Sequence, residues 1–212
     1  RTGTAEAIAV NSCTTALEII LRYLDVGGRE VVVPTNTFIA TANAVRYAGG
    51  TPVFADINPQ TLCLSPEDLA KRLRPKTRAV ILVHVAGLIT PDLESIQALC
   101  RSRGVILIED CAHALGSARG GCSAGALSFA GAFSFYPTKL ITTGNGGMIT
   151  TDDAKLAAFA RSVRVHGRDG ASGEIEHLGN DWFMDELSAA LGVHQIARLD
   201  QIVDRRNEIA GR

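Results

Sequence analysis

The sequence lacks an excess of positive charge and any long uninterrupted apolar run. Its 21 Lys+Arg are balanced by 22 Asp+Glu, giving a formal net charge of −1, so a nucleic-acid-binding module is not expected. Charged residues interrupt each apolar stretch before it reaches bilayer length, and residues 1–6 lack the apolar core of a signal peptide. These features predict a cytoplasmic protein without membrane contact that acts on a small molecule.

The sequence also lacks the spacings typical of metal and triphosphate sites. Its 5 cysteines are widely spread without a C-x-x-C pair, and its 5 histidines show no H-x-x-x-H spacing. The phosphate-loop pattern G-x-x-x-x-G-K-[ST] does not occur. We therefore predict reduced, mostly buried thiols and no metal site, and the sequence gives no positive case for a nucleotide triphosphatase.

Short β-branched runs alternate with longer amphipathic ones along the whole chain, which predicts one α/β domain with a mostly parallel central sheet and helices on both faces. The predicted strands are 30–33, 52–56, 79–83, 105–108, 129–136 and 148–151. The first predicted helix has N-cap candidates at 12–15 and ends at the Gly27-Gly28 pair. The other predicted helices are 39–47, 66–73, 92–103, 153–164 and 185–209. The run 105–108 has no polar side chain, so it is expected to be a central strand buried on both faces.

Lys139 is the only charged residue among the 32 residues from Gly120 to Thr151. A lysine in such a neutral segment is a candidate for withdrawal from water, which favours the neutral amine that attacks carbonyl groups. The alternative is an exposed lysine on a glycine-rich turn, and composition does not decide between the two.

Asp110 follows the most apolar predicted strand, at the edge where ligands bind in open α/β sheets. A buried carboxylate there requires a cationic or hydrogen-bonding partner. Its alternative role is to cap the segment that begins at Ala112. Glu109 points to the opposite face of the strand and is the weaker candidate.

Other candidates are individually weak. Cys13 and Thr14 begin a predicted helix, where free amides, a hydroxyl and the helix dipole suit a phosphate, although most such starts are simple caps. His113 is the only histidine beside another candidate. Phe38 follows a predicted strand and offers a flat face to an aromatic ligand, although core packing is the default for phenylalanine.

Taken together, these segments resemble the DegT/StrS family of sugar-nucleotide aminotransferases, which are pyridoxal-phosphate (PLP) enzymes of the aspartate-aminotransferase fold (fold type I). The resemblance depends on the order and spacing of five segments along nearly the whole chain. They are N-S-C-T-T-A-L from 11, V-P-T-N-T-F-I-A-T-A-N-A from 33, P-V-F-A-D-I from 52, I-E-D-C-A-H-A from 108, and F-S-F-Y-P-T-K from 133 with T-G-N-G-G from 143.

The resemblance implies one cofactor site. Lys139 matches the lysine that holds PLP as a Schiff base and shuttles a proton, and Asp110 matches the carboxylate that pairs with the pyridinium nitrogen. The remaining matches are with residues expected to contact the ring hydroxyl, the ring face and the phosphate. They are His113 for the hydroxyl, Phe38 for the face, and Cys13, Thr14 and Ser134 for the phosphate.

The sequence departs from the family pattern near its end. Where the family commonly shows G-Y-N-x-R-M-x-E, this chain has Asp181 at the Asn position and Phe183 at the Arg position. The resemblance also implies a small C-terminal domain that residues 1–212 do not include, so we expect these residues to be the PLP-binding large domain of a longer protein.

The predicted function is transfer of an amino group, with glutamate as the expected donor, to a keto-sugar nucleotide, and the resemblance implies a homodimer. Three alternatives remain. A PLP-dependent sugar dehydratase is disfavoured because that branch has histidine in place of Lys139. The others are a lyase or aldolase of the same fold and a non-catalytic PLP-binding regulatory protein.

Overall fold

The computed structural model of the chain describes residues 1–211. Seven strands form the main sheet, namely β1 Glu6–Val10, β2 Glu30–Pro34, β3 Thr51–Ala55, β4 Thr77–Val83, β5 Ile106–Asp110, β8 Ala130–Ser134 and β9 Gly147–Thr151. A separate short hairpin consists of β6 Ala118–Arg119 and β7 Cys122–Ser123. The α-helices are α1 Cys13–Tyr23, α2 Ile39–Tyr47, α3 Pro66–Arg72, α4 Leu93–Ser102, α5 Ala154–Val163, α6 Glu186–Ala197 and α7 Leu199–Ala210.

The main sheet has the order β1-β9-β8-β5-β4-β2-β3. The pairs β2–β3, β2–β4, β4–β5 and β5–β8 are parallel, whereas β9 runs antiparallel to both β8 and β1. The sheet is therefore mostly parallel, and the predicted α/β fold is confirmed. Strand β5 is its fourth and central member, as predicted for the run that begins after Gly104.

The core has two layers, one on each face of the sheet. On one face, α1, α2 and α5 pack against the strands through residues such as Leu17, Val45 and Leu156. On the other face, α3 and α4 pack through residues such as Leu69 and Ile96. Burial of these apolar side chains is the main driving force of the fold, and helices on both faces leave only the ends of the strands for a ligand.

The caps of α1 and α3 agree with the prediction. Ser12 caps α1 by accepting a hydrogen bond from the Thr15 N–H at 3.0 Å, and Ser65 caps α3 through the Asp68 N–H at 3.2 Å. Helix α1 ends at Tyr23, however, before the predicted Gly27-Gly28 stop. The turn that follows uses a left-handed Asp25 (φ 50°) as well as Gly28 (φ 68°).

One predicted element is wrong in detail, and strand β1 and the β6–β7 hairpin were missed. Strand β1 was not predicted, although it forms one edge of the sheet by pairing with β9. The predicted helix 185–209 is two helices that meet at Arg198. The break allows Leu199 to reach the core, where it is buried.

Within residues 1–211, no helix combines the length and the apolar composition required to span a bilayer.

Candidate active site

A cavity of about 660 Å³ opens at the carboxyl edge of the sheet. Strands β4, β5 and β8 are neighbours and parallel, so their carboxyl ends lie side by side at this edge. All seven residues that the sequence singled out line this one cavity, namely Cys13, Thr14, Phe38, Asp110, His113, Ser134 and Lys139. Segments up to 126 residues apart in sequence are thus brought together, since Cys13 and Lys139 share the lining.

Asp110 is the last residue of β5 and is only 5% exposed. Its Oδ1 accepts a hydrogen bond from the Ala112 N–H at 3.1 Å, and its Oδ2 accepts one from the Thr41 hydroxyl at 2.9 Å. The contact with Ala112 is the local cap that the sequence suggested, but residues 112–115 form turns instead of a helix. Within residues 1–211, no cation forms an ion pair with this carboxylate, so a buried negative charge faces the cavity without a positive partner.

Lys139 lies on the loop between β8 and β9, where its backbone N–H donates to the Tyr136 carbonyl at 2.9 Å. The side chain is half-buried and lines the cavity. Its positive charge adds to burial in lowering the pKa of His113, and it partly offsets the effect of burial, which raises the pKa of Cys13. The alternative of a lysine that projects freely into solvent is therefore not what the fold produces.

The loop before β9 depends on glycine. A Cβ atom at Gly147 would overlap the backbone of Ser12 and Cys13, and one at Gly146 would overlap the Thr143 hydroxyl. Gly147, the first residue of β9, therefore allows this strand to begin directly against the start of α1, and Gly146 allows the loop before it to fold closely on itself.

The start of α1 forms one end of the cavity. Within the described part of the chain, the backbone N–H groups of Cys13 and Thr14 have no acceptor, as expected for the first turn of a helix. The Cys13 thiol points away from these amides, with Sγ 3.5 Å from the Ala132 carbonyl oxygen and 3.9 Å from Asp110 Oδ1. Burial, followed by the charge of Asp110, raises the pKa of the Cys13 thiol well above its usual value, so the sulfur stays protonated.

His113 and Phe38 line the exposed part of the cavity. The Ala86 N–H donates to His113 Nδ1 at 3.4 Å, so Nε2 carries the proton of the neutral ring. Partial burial, followed by the positive charge of Lys139, lowers the pKa of His113, which favours this neutral form. Phe38 immediately precedes α2 and is 77% exposed, so one face of its ring is free to cover a ligand.

The sequence analysis missed Thr41, which is buried one helical turn after Phe38. Its hydroxyl bonds both Asp110 Oδ2 and, at 2.6 Å, the Thr37 hydroxyl. The spacing of Thr37 and Thr41 by four residues at a helix start was a usable signal that both face the same side. Tyr136 and Asn145 also line the cavity without having been singled out.

Asp181 and Phe183, which depart from the family pattern, are exposed and lie outside the cavity lining. Trp182 between them is buried and stacks under the Arg22 guanidinium, whose carbon lies 5.0 Å from the ring centroid. This packing turns the two altered residues outward.

Glu109 lies on the opposite face of β5 from Asp110, as predicted, and is completely buried. Its oxygens accept hydrogen bonds from the N–H groups of Gly125 and Leu127, both at 2.8 Å, and lie 2.9 Å from His84 Nε2. His84, Glu109 and Cys111 are close enough together to suggest a metal site. The carboxylate oxygens are already occupied by these donors, so the group is better explained as a hydrogen-bonded network that holds the turn before β8.

Comparison with known proteins identifies the relatives of this chain. A model of the DegT/DnrJ/EryC1/StrS aminotransferase family matches residues 1–212. The spore coat polysaccharide biosynthesis protein SpsC of Bacillus subtilis is 42% identical over 99% of this chain and 57% of its own length. GDP-perosamine synthase of Caulobacter vibrioides is 39% identical, again over 99% of this chain and 57% of its own length. The chain thus spans a little more than half of these relatives.

Solved structures agree with this result. The PLP form of Spr1654 from Streptococcus pneumoniae superposes with a TM-score of 0.93 at 30% identity, covering 99% of this chain and 59% of that one.

Proposed function

Because the chain belongs to the DegT/DnrJ/EryC1/StrS aminotransferase family, we propose that it binds PLP in the 660 Å³ cavity and transfers an amino group to a keto-sugar nucleotide. Glutamate is the proposed donor. The acceptor class is supported by the relative named GDP-perosamine synthase. The observation that carries the proposal is that Lys139 and the buried, cation-free Asp110 line the same cavity.

The residues present fit the cofactor. The protonated ring nitrogen of PLP would supply the cation that Asp110 lacks within the described residues, while Thr41 and Ala112 hold the carboxylate in place. The free amides of Cys13 and Thr14 and the hydroxyl of Ser134 are donors for the phosphate. The Nε2–H of His113 is a donor for the ring hydroxyl, and Phe38 offers an aromatic face for stacking.

When bound, PLP supplies an electron-withdrawing ring that takes up the electron pair released as a C–H bond next to nitrogen breaks. Asp110 keeps the ring nitrogen protonated, which preserves this electron-withdrawing character. Lys139 would hold the cofactor through Nζ and would move the proton to and from the reacting carbon of the substrate. The protonated Cys13 thiol beside Asp110 adds a weak donor without adding a second negative charge.

The proposal extends to the rest of the protein. The greater length of the relatives supports residues 1–212 as the large domain of an enzyme with a further small domain. A homodimer is supported by exposed apolar side chains on and before α6, including Leu178 and Leu187, both 85% exposed. The proposed location is the cytoplasm, in keeping with five free cysteine thiols.

The test of the proposal is covalent labelling of the PLP-loaded protein with borohydride, followed by peptide mapping. The label should appear on Lys139 and be absent from the Lys139→Ala variant. Lys155→Ala, which removes an exposed lysine on α5, is the matched control and should label normally. Addition of glutamate should convert the bound cofactor and change its absorbance. Labelling that persists in Lys139→Ala would refute the assignment of the lysine, and absence of any response to glutamate would refute the transferase activity with this donor.

A further inference from the structure

A second cavity, of about 450 Å³, lies against the first. The two share Lys139 and His113 in their linings, so both cavities border the same lysine. Its far wall belongs to α7, which contributes Val203, Arg206 and Asn207. A molecule in this cavity would therefore extend from the reacting region towards α7.

The charged side chains that line the second cavity are all positive. The lining contains the cations Lys139 and Arg206 but no aspartate or glutamate. Within residues 1–211, the side chain of Arg206 forms no hydrogen bond or ion pair, whereas that of the adjacent Arg205 pairs with Glu208 at 2.5 Å. The guanidinium of Arg206 is thus available to a ligand, and nothing in the lining would repel an anion.

The neighbouring polar groups suit an oxyanion. A guanidinium presents paired N–H donors that match a carboxylate or a phosphate. The Ser117 hydroxyl and the Asn207 amide line the same cavity and offer further donors. The remaining wall includes the apolar side chains of Val203 and Leu140.

We propose that this cavity is a substrate subsite in which Arg206 binds an oxyanion, with the reacting carbon of the substrate directed towards Lys139. The inference rests on the proposed function, because it supplies that same lysine with its substrate. Both proposed substrates carry the required chemistry, since the donor has carboxylates and the acceptor has a diphosphate. Arg206 is thus a binding residue that lies outside the lining of the first cavity.

The experiment compares Arg206→Gln with Arg205→Gln, an adjacent arginine that lies outside the lining. Calorimetric titration of the PLP-loaded protein uses glutarate as the dicarboxylate probe and UDP as the diphosphate probe. Loss of one charge-assisted pair is expected to weaken binding of at least one probe by about tenfold or more in Arg206→Gln, with no change in Arg205→Gln.

The outcomes separate the possible sources of the anion. Weakening of glutarate alone assigns the subsite to the amino donor, weakening of UDP alone assigns it to the nucleotide, and weakening of both shows that they share it. Equal affinities in the two variants, or no binding of either probe to the unaltered protein, would overturn the subsite. The absorbance of the bound cofactor is recorded on every sample. Failure of PLP binding, which would refute the proposed function, is therefore detected by absorbance and is distinguished from failure of the probes to bind, which is detected by calorimetry.

Discussion

Glu109→Gln should destabilise the fold strongly while leaving the volume of the side chain unchanged. The carboxylate has three close partners, the N–H groups of Gly125 and Leu127 at 2.8 Å and His84 Nε2 at 2.9 Å, and both Glu109 and His84 have fully buried side chains. An amide has one acceptor oxygen where the carboxylate has two. Its NH₂ group must therefore face at least one of these donors.

The magnitude follows from that mismatch. A hydrogen bond to a charged group contributes about 1.5–3 kcal/mol, and a buried donor left without an acceptor costs about 1–3 kcal/mol. We expect Glu109→Gln to lower the free energy of unfolding by about 2–4 kcal/mol, a large share of the roughly 5–15 kcal/mol typical of a native protein. In urea this corresponds to a shift of the midpoint by about 1 M, taking a slope near the upper end of about 1–3 kcal/mol/M.

The assay is equilibrium urea unfolding followed by circular dichroism, with Glu176→Gln as the control. Glu176 is exposed, and its side chain makes no hydrogen bond or ion pair within the described part of the chain. Its replacement should leave the midpoint unchanged. If Glu109→Gln unfolds at the same midpoint and slope as the unaltered protein, the network does not hold the turn before β8 and the reasoning is wrong.

Three further predictions concern the cavity. Asp110→Asn should retain PLP but slow the half-reaction with glutamate by orders of magnitude in stopped-flow absorbance, and an unaltered rate would contradict the proposed pairing of Asp110 with the ring nitrogen. Thr41→Val removes the hydroxyl that donates to Asp110 Oδ2 at 2.9 Å, and should slow the same half-reaction about tenfold without loss of the fold. The pKa of His113 is lowered on folding, mainly by burial, so the native state resists its protonation and stability should decline as the pH falls below the ordinary value of about 6.5. Urea midpoints at pH 7.5 and 5.5 should therefore differ less in His113→Gln than in the unaltered protein, and equal differences would show that His113 does not contribute.

Sequence patterns identified the parts of the fold that depend on local signals. Helix α2 has the bounds that its pattern predicted. Strand β5 is central in the sheet because its apolar run has no polar side chain that would favour a face exposed to water. Strand β1 was missed because it is a short edge strand whose pairing with β9 depends on residues some 140 positions away. The break at Arg198 has no glycine or proline signal, because it results from the burial of Leu199.

The candidate site was predictable in its members but not in their contacts. Lys139 and Asp110 stand out because their charges occur in apolar or neutral surroundings, and the family resemblance connects them with the other cavity residues. The hydroxyl of Thr41 and the thiol of Cys13 both approach Asp110. Neither contact has a local signal, since each joins residues about 70 to 100 positions apart in sequence. The second cavity could likewise not be predicted from the sequence, because its far wall depends on where α7 packs.

The adjacent carboxylates at the end of β5 leave opposite faces of the sheet, one towards the 660 Å³ cavity and one towards the turn before β8. Because side chains alternate along a strand, inserting or deleting one residue within β5 would exchange their positions. Catalysis and folding would then be lost in the same event. The length of this strand is therefore expected to be among the features least tolerant of insertions or deletions in evolution or in engineering, even where single substitutions nearby are accepted.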